Sequence, residues 1–391
     1  LRVLDAVQLR LVPRLLGVVE FAPLRGRVEA RGRDPIVVGG GVVGLAAAKR
    51  LADRGVSVTL YERQRVGTGA TGQAAGLCYD AYVDRTDADL AARSLNWYRD
   101  VGALRACPYV WVARDDDHVA AAIREQVDRM RDRGRDVSLC HREELRERFP
   151  ALRAEQFAVG AVARNAGYVD GRSCARVMAD RASERGVDIR TGTPVELADE
   201  TVVETPDGTR TFDAVLVAAG AHTDRIVASA GHTLALGRYR AQALVTDATD
   251  VTPPLFYDAS ERFYCRPAGG GLLVGNGAHA YRGDAEAVDR TADSSFVDSA
   301  LARAETAVDA APSVTRSWAG LCTATPDREP LCGHCGGGLY VATGWHGHGV
   351  MRGPALGETI AAEMLGGVGI DHFDPTRFDG DEEITFPTGV D

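Results

Sequence analysis

Lysine is almost missing from this 391-residue chain: Lys49 is the only one, and the other 44 of the 45 basic residues are arginine. Chemistry that needs a lysine amine beside a reactive centre is confined to that single position. Also missing is any uninterrupted apolar run of 18 or more residues, so no stretch reads as a membrane-spanning helix. Basic charge is in deficit, 45 residues against 55 acidic ones, and it is spread along the chain, which makes nucleic acid a poor partner. The eight cysteines (Cys78, Cys107, Cys140, Cys174, Cys265, Cys322, Cys332, Cys335) are scattered with no secretory signal ahead of them, which fits a reducing cytoplasm. Cys332 and Cys335 have CxxC spacing, but no second CxxC or HxxxH completes a zinc set and glycines 336 to 338 follow at once. That pattern predicts a hairpin or loop turn, and no metal site.

What is present describes a globular protein with room for two connected domains, 45% apolar and 26% charged. The first 34 residues stand apart. They carry seven arginines, four acids (Asp5, Glu20, Glu29, Asp34), Pro13 and Pro23, without helical or strand periodicity. They read as an extension outside the fold. A targeting peptide, which the acids disfavour, and an upstream start are both open readings.

Residues 35 to 62 carry the strongest signal: the β-branched run Pro35-Ile36-Val37-Val38, then Gly39-Gly40-Gly41-Val42-Val43-Gly44, a helix to Gly55, and a second strand ending in Glu62. In this order a GxGxxG marks a βαβ dinucleotide site. Gly39 permits the tight turn, Gly41 lets backbone approach a pyrophosphate, and Gly44 lets helix and strand pack closely. The phosphates meet the positive end of the helix, where Val43 lies, and Glu62 accepts from the ribose hydroxyls, which favours FAD or NAD over NADP; Arg63 follows it. The small-residue run through Thr71, Gly72, Gln73, Ala74, Ala75 and Gly76 brings backbone close to a flat ligand and suits a flavin better.

Helical spacing recurs over 85–104, 117–133, 143–149 and 172–185, with a strand at 110–113. Residues 195 to 213 alternate and turn at Pro206-Asp207-Gly208, and Ala214 to Ala221 reads as a buried parallel strand against which a cofactor could lie. Strands dominate 238–277. Leu339 to Gly344 forms another strand, then a His/Gly loop leads to a helix expected from about Ala355 to Leu365.

This order of elements resembles the D-amino-acid oxidase-like FAD-dependent oxidoreductases, the family of glycine oxidase, sarcosine oxidase and dimethylglycine dehydrogenase. The resemblance runs over residues 35–367 and rests on Val37 to Glu62, Gly72 to Leu77, Gly167-Tyr168-Val169-Asp170, Val215 to Gly220, Trp318 to Asp327 and Gly344 to Gly349. It implies an α/β fold: a Rossmann-like FAD-binding domain (35–84, 165–235, 325–370) with a discontinuous, β-sheet-rich substrate domain (85–164, 236–324), and a tail over 371–391. It also implies oxidation of the C–N bond of a small amine or amino acid, with dioxygen or an electron carrier as acceptor. The cofactor contacts it implies further include Val195, Ala219, Gly220, Gly344, Gly347, His348, Gly349 and Val350.

Three departures matter. Members that attach FAD through histidine carry it where this chain has Gln73, and sarcosine oxidases that attach it through cysteine carry that cysteine where this chain has Gly320. Non-covalent FAD is therefore expected, with Cys322 lining the pocket or packing. The lysines with which those oxidases activate oxygen and hold substrate have no counterpart, and His346 or His348 are the candidate replacements for the oxygen-activating charge. The arginine clamp of glycine oxidases falls at Cys322. Candidate substrate residues are then Tyr264, Arg266 on the same strand face, and Arg352, with His348 facing the flavin. Two other readings stay open: a hydroxy-acid or glycerol-phosphate-type dehydrogenase, and a flavin subunit of a heteromeric sarcosine oxidase-like complex.

Overall fold

A computed structural model describes residues 34–115 and 117–386; the expected N-terminal extension, Asp34 apart, lies outside them. Two large sheets organise the chain. The first has six strands in the order Leu331–Gly336, Leu339–Thr343, Ala214–Val217, Pro35–Val38, Thr59–Glu62, Asp188–Thr191. All its pairings are parallel except the first, a hairpin. Its central strands are the continuous apolar runs, as burial on both faces requires.

The second sheet has eight strands, ordered Val314–Ala324, Gly237–Thr246, Gly271–Tyr281, Phe263–Ala268, Leu255–Asp258, Tyr109–Ala113, Val159–Ala163, Val137–Cys140. It is antiparallel save for the pair Leu255–Asp258 with Tyr109–Ala113. The expected α/β architecture, a parallel cofactor sheet joined to an antiparallel substrate sheet, is what the chain adopts.

Helix Val42–Ala52, which opens on the glycine motif, packs directly on helix Gly349–Met364. The approach depends on glycine: a Cβ on Gly353 would lie 2.6 Å from Val42 Cγ1, and one on Gly357 would lie 2.5 Å from the Val43 carbonyl oxygen. The second helix begins six residues before the expected Ala355 and runs through Pro354. Proline has no N–H for the carbonyl of Val350, four residues back, a vacancy that ordinarily ends a helix. Here the Tyr98 hydroxyl donates to that carbonyl at 2.6 Å, so the helix continues.

The hairpin expected at Cys332 and Cys335 forms: both cysteines lie on its first strand, and it turns at Gly336, Gly337 and Gly338, with φ of +127°, +52° and +95°. Cys332 is buried in the cluster that holds Val37 and Ala342, whereas Cys335, at a break in strand register, packs against the one that holds Val38 and Val341. Within the expected tail, Phe373 is buried and Arg377 donates to Asp327 and to the carbonyls of Glu329 and Pro330. Among the described residues no helix is long and apolar enough to cross a membrane.

Candidate functional site

A continuous cavity runs from the glycine motif of the six-stranded sheet to the inner face of the eight-stranded one. At the first end the chain turns at Gly39, whose φ is +116° and where a Cβ would fall 2.4 Å from the Ala218 carbonyl oxygen. A Cβ on Gly44 would fall 2.1 Å from the Gly39 oxygen, so this glycine serves helix–strand packing behind the wall. Gly41, Val42 and Val43 open the helix toward the cavity. The Glu62 carboxylate accepts from the Gly40 and Gln64 amides, each at 2.8 Å, which fixes it at the rim. Thr71 Oγ1 accepts from the Val42 amide at 3.2 Å, joining the small-residue segment to the helix start. Such a cradle, with bare backbone, a helix start and an acid at the end of the second strand, fits the diphosphate and ribose of a dinucleotide.

Beside it, Arg63 donates to His222 Nε2 at 2.9 Å and pairs with Glu286. Burial first, and then the Arg63 charge, push the His222 pKa down to about 4, so this ring is neutral at physiological pH. Further along, Gln73 takes a hydrogen bond from Arg290 at 3.0 Å on Oε1 and one from the Trp318 indole at 2.9 Å on its carbonyl. A Cβ on Gly320 would lie 3.3 Å from that same Oε1. Gln73 and Gly320 are thus neighbours, and neither is a nucleophile.

The far end is a chamber of tyrosines. Strand register sets Trp111, Tyr257, Tyr264, Gly275, Ala243 and Trp318 in one row across the sheet. Tyr257 and Tyr264 line the cavity with Tyr79, Tyr109 and Tyr239. The Tyr264 ring leans over Gly275, where a Cβ would be 2.2 Å from its hydroxyl. Burial pushes the phenols of Tyr239, Tyr257 and Tyr264 up, and it raises the Cys322 thiol to about 11 against a lowering hydrogen bond with Tyr239. These phenols and this thiol are therefore neutral at physiological pH, suited to contact and hydrogen bonding.

Of the candidate substrate residues, Tyr264 and His348 line the cavity, and Arg266 and Arg352 do not. Arg266 donates to the Ala75 carbonyl at 2.6 Å and lies 4.6 Å over the Tyr168 ring, so it ties the sheet to the small-residue segment from behind. Arg352 is 1% exposed and ion-paired with Asp87, because the first turn of its helix directs it into the interior. His346 Nε2 accepts the Thr325 amide at 2.9 Å, which ties the ring to the backbone before the Thr-Pro-Asp turn. Gly72 and Gly344 pack behind the wall, whereas Gln73, Ala74, Ala75, Gly76, Val195, Ala219, Gly220, Gly347, Gly349 and Val350 face the cavity. Sequence reasoning missed His222, Tyr239, Arg262 and Arg290. Arg262 was not legible by strand alternation, because it sits in the turn before the strand of Tyr264 with φ of +54°.

The sequence profile of the family described as "FAD dependent oxidoreductase" (DAO) matches residues 34–363. An uncharacterized oxidoreductase of Bacillus subtilis, YurR, is 28% identical over 362 residues, covering 85% of this chain and 94% of that one. The glycine oxidase of Geobacillus kaustophilus is 26% identical over 352 residues, covering 84% and 92%. In structure, the L-proline dehydrogenase of P. horikoshii superposes with a TM-score of 0.82 at 24% identity, over 90% of this chain and 98% of that one. With the family profile spanning nearly the whole described fold, and a dinucleotide cradle opening into a neutral tyrosine chamber, this chain belongs to the DAO family of FAD-dependent oxidoreductases.

Proposed function

We propose that the protein oxidises the C–N bond of a small amine or amino acid, with FAD held without a covalent link. The observation that carries this reading is the continuity of the cavity, with a dinucleotide cradle at one end and a chamber lined by neutral tyrosines at the other. Bound FAD supplies the two-electron acceptor for the hydride on the carbon next to nitrogen. The chain's own residues would do the rest: Gly39, Gly41 and Glu62 would hold the nucleotide, and Tyr264 and Tyr239 would bound the reacting end. The names of the relatives, glycine oxidase and L-proline dehydrogenase, support an amino-acid substrate. Gln73 and Gly320 support the non-covalent hold, since neither side chain can form the bond.

The test is the visible spectrum of FAD-loaded protein under anaerobic conditions, as glycine, sarcosine, dimethylglycine, D-alanine and proline are added one by one. Bleaching of the oxidised band by one of them supports C–N oxidation, and readmitting air then separates dioxygen from a carrier as acceptor. Bleaching by a hydroxy acid alone overturns the reading in favour of C–O oxidation.

A further inference from the structure

We propose that residues 282–288 form a gate over the cofactor groove, rooted at 289–293 and latched by Glu286, past which FAD must enter and leave. This goes beyond the C–N reading, since the gate would serve whichever bond the flavin oxidises. The segment joins strand Gly271–Tyr281 to helix Ser294–Ala307 and contains neither helix nor strand. Its two halves are held differently. Residues 289–293 are fixed to the eight-stranded sheet, largely through backbone. Arg240 donates to the carbonyls of Asp289 and Thr291 at 3.2 and 2.7 Å, and the Ala319 amide donates to the Arg290 carbonyl at 2.8 Å. Gln242 donates to the Asp293 carboxylate at 3.0 Å and accepts from its amide at 2.6 Å.

Residues 284–288 reach across to the other sheet. Glu286 pairs with Arg63, the residue after the cradle acid Glu62, and its Oε1 lies 3.5 Å from His222 Nδ1. Because Arg63 also donates to His222 Nε2, the three side chains close a ring at the rim of the cradle. Beside this latch, Ala285 and Val288 are buried against Ala221 and Leu321 in a small apolar cluster separate from the main cores. Ala221, Leu321, Arg63 and His222 line the cavity, so the segment covers its wall from outside. The fastening is light. The Glu286 and Arg63 side chains are 48% and 32% exposed, and a pair so wet shifts an equilibrium by at most about fivefold. Small clusters under a loop release before the cores do. A segment rooted firmly at one end and lightly latched at the other opens without disturbing either sheet. Glu286 joins residues of the chain to one another and does not itself line the cavity, so opening governs entry and exit of the cofactor alike.

The experiment measures two rates in wild type, E286Q and V288S. Release is read by exchange of bound FAD against excess 5-deaza-FAD, and uptake by quenching of flavin fluorescence as stripped protein is refilled. In E286Q both should rise together, on the order of fivefold, with Kd within about twofold of wild type. Added salt should speed both rates more in wild type than in E286Q, because the charged latch is already gone from the variant. V288S loosens the same half without touching a charge, so both rates should rise while the salt dependence stays that of wild type. Hydrogen exchange in FAD-loaded E286Q should quicken at 284–288 and stay at the wild-type level at 289–293, which a general loss of structure would not reproduce. Faster release at unchanged uptake, with a correspondingly weaker Kd, would make Glu286 a plain support of the cradle and overturn the gate. Rates unchanged in both variants would overturn it as well.

Discussion

Gly275→Ala tests the tyrosine chamber through its most closely fitted contact. Gly275 lies opposite Tyr264 on the neighbouring strand, and its backbone is ordinary extended strand, so alanine brings no dihedral strain. The added Cβ would stand 2.2 Å from the Tyr264 hydroxyl oxygen, 2.3 Å from Cζ and 2.6 Å from Cε2. Ordinary contact begins at 3.4 Å, so the phenol must move by roughly 1.2 Å. The strand holds the new methyl, and the ring must swing into the cavity. A displacement of about 1 Å in a group that positions substrate costs on the order of 100-fold in kcat/KM, while overpacking costs about 1–3 kcal/mol of stability. The assay pairs kcat/KM for the amine that bleaches the flavin with the thermal midpoint, in wild type, G275A, Y264A and the double variant. If the ring is the cause, the G275A effect vanishes in the Y264A background. An equal loss in both backgrounds, or no loss in G275A, would refute the argument.

Other substitutions probe the rest of the site. R352M strands the buried Asp87 carboxylate and should destabilise the fold by about 3–5 kcal/mol, measured by denaturant titration, whereas a substrate-clamp role would raise KM at unchanged stability. E62Q replaces an acceptor of two backbone amides by a group that can accept on only one oxygen; FAD affinity by fluorescence titration should weaken about tenfold, and an unchanged value removes Glu62 from ribose binding. His222 takes up its proton at about pH 4 when folded against 6.5 for the free side chain, so its contribution to stability is fully present above pH 6.5 and is lost as pH falls toward 4. Thermal midpoints from pH 7.5 to 4.5 should decline less in H222N than in wild type; parallel declines contradict this.

The cofactor end was legible because its residues are contiguous: strand, glycines, helix, strand and acid follow one another within 28 positions. The substrate end was not, because it is made by register. Tyr79, Tyr109, Tyr239 and Tyr264 come from four different strands, and nothing local marks them as neighbours. In a chain whose basic residues are nearly all arginine, residue type alone cannot say which guanidinium faces a ligand. The partner that withdraws Arg352 from the cavity is Asp87, 265 positions away, and Arg266 is turned aside by a carbonyl 191 positions away. The start of the last helix was missed for a like reason, since Pro354 reads as a breaker until Tyr98 is placed beside Val350.

That last arrangement bears on descent as well as on shape. A proline tolerated inside a helix because one distant hydroxyl stands in for its missing partner makes the two sites a single heritable unit, although 256 positions separate them. In lineages derived from this chain, loss of the tyrosine ahead of the proline leaves a buried carbonyl unserved, so substitutions should run in one order: Pro354 is released first, and Tyr98 becomes free to drift only afterwards. A collection of relatives in which phenylalanine at 98 and proline at 354 occur together as often as chance allows would show that the helix has another means of closing the gap.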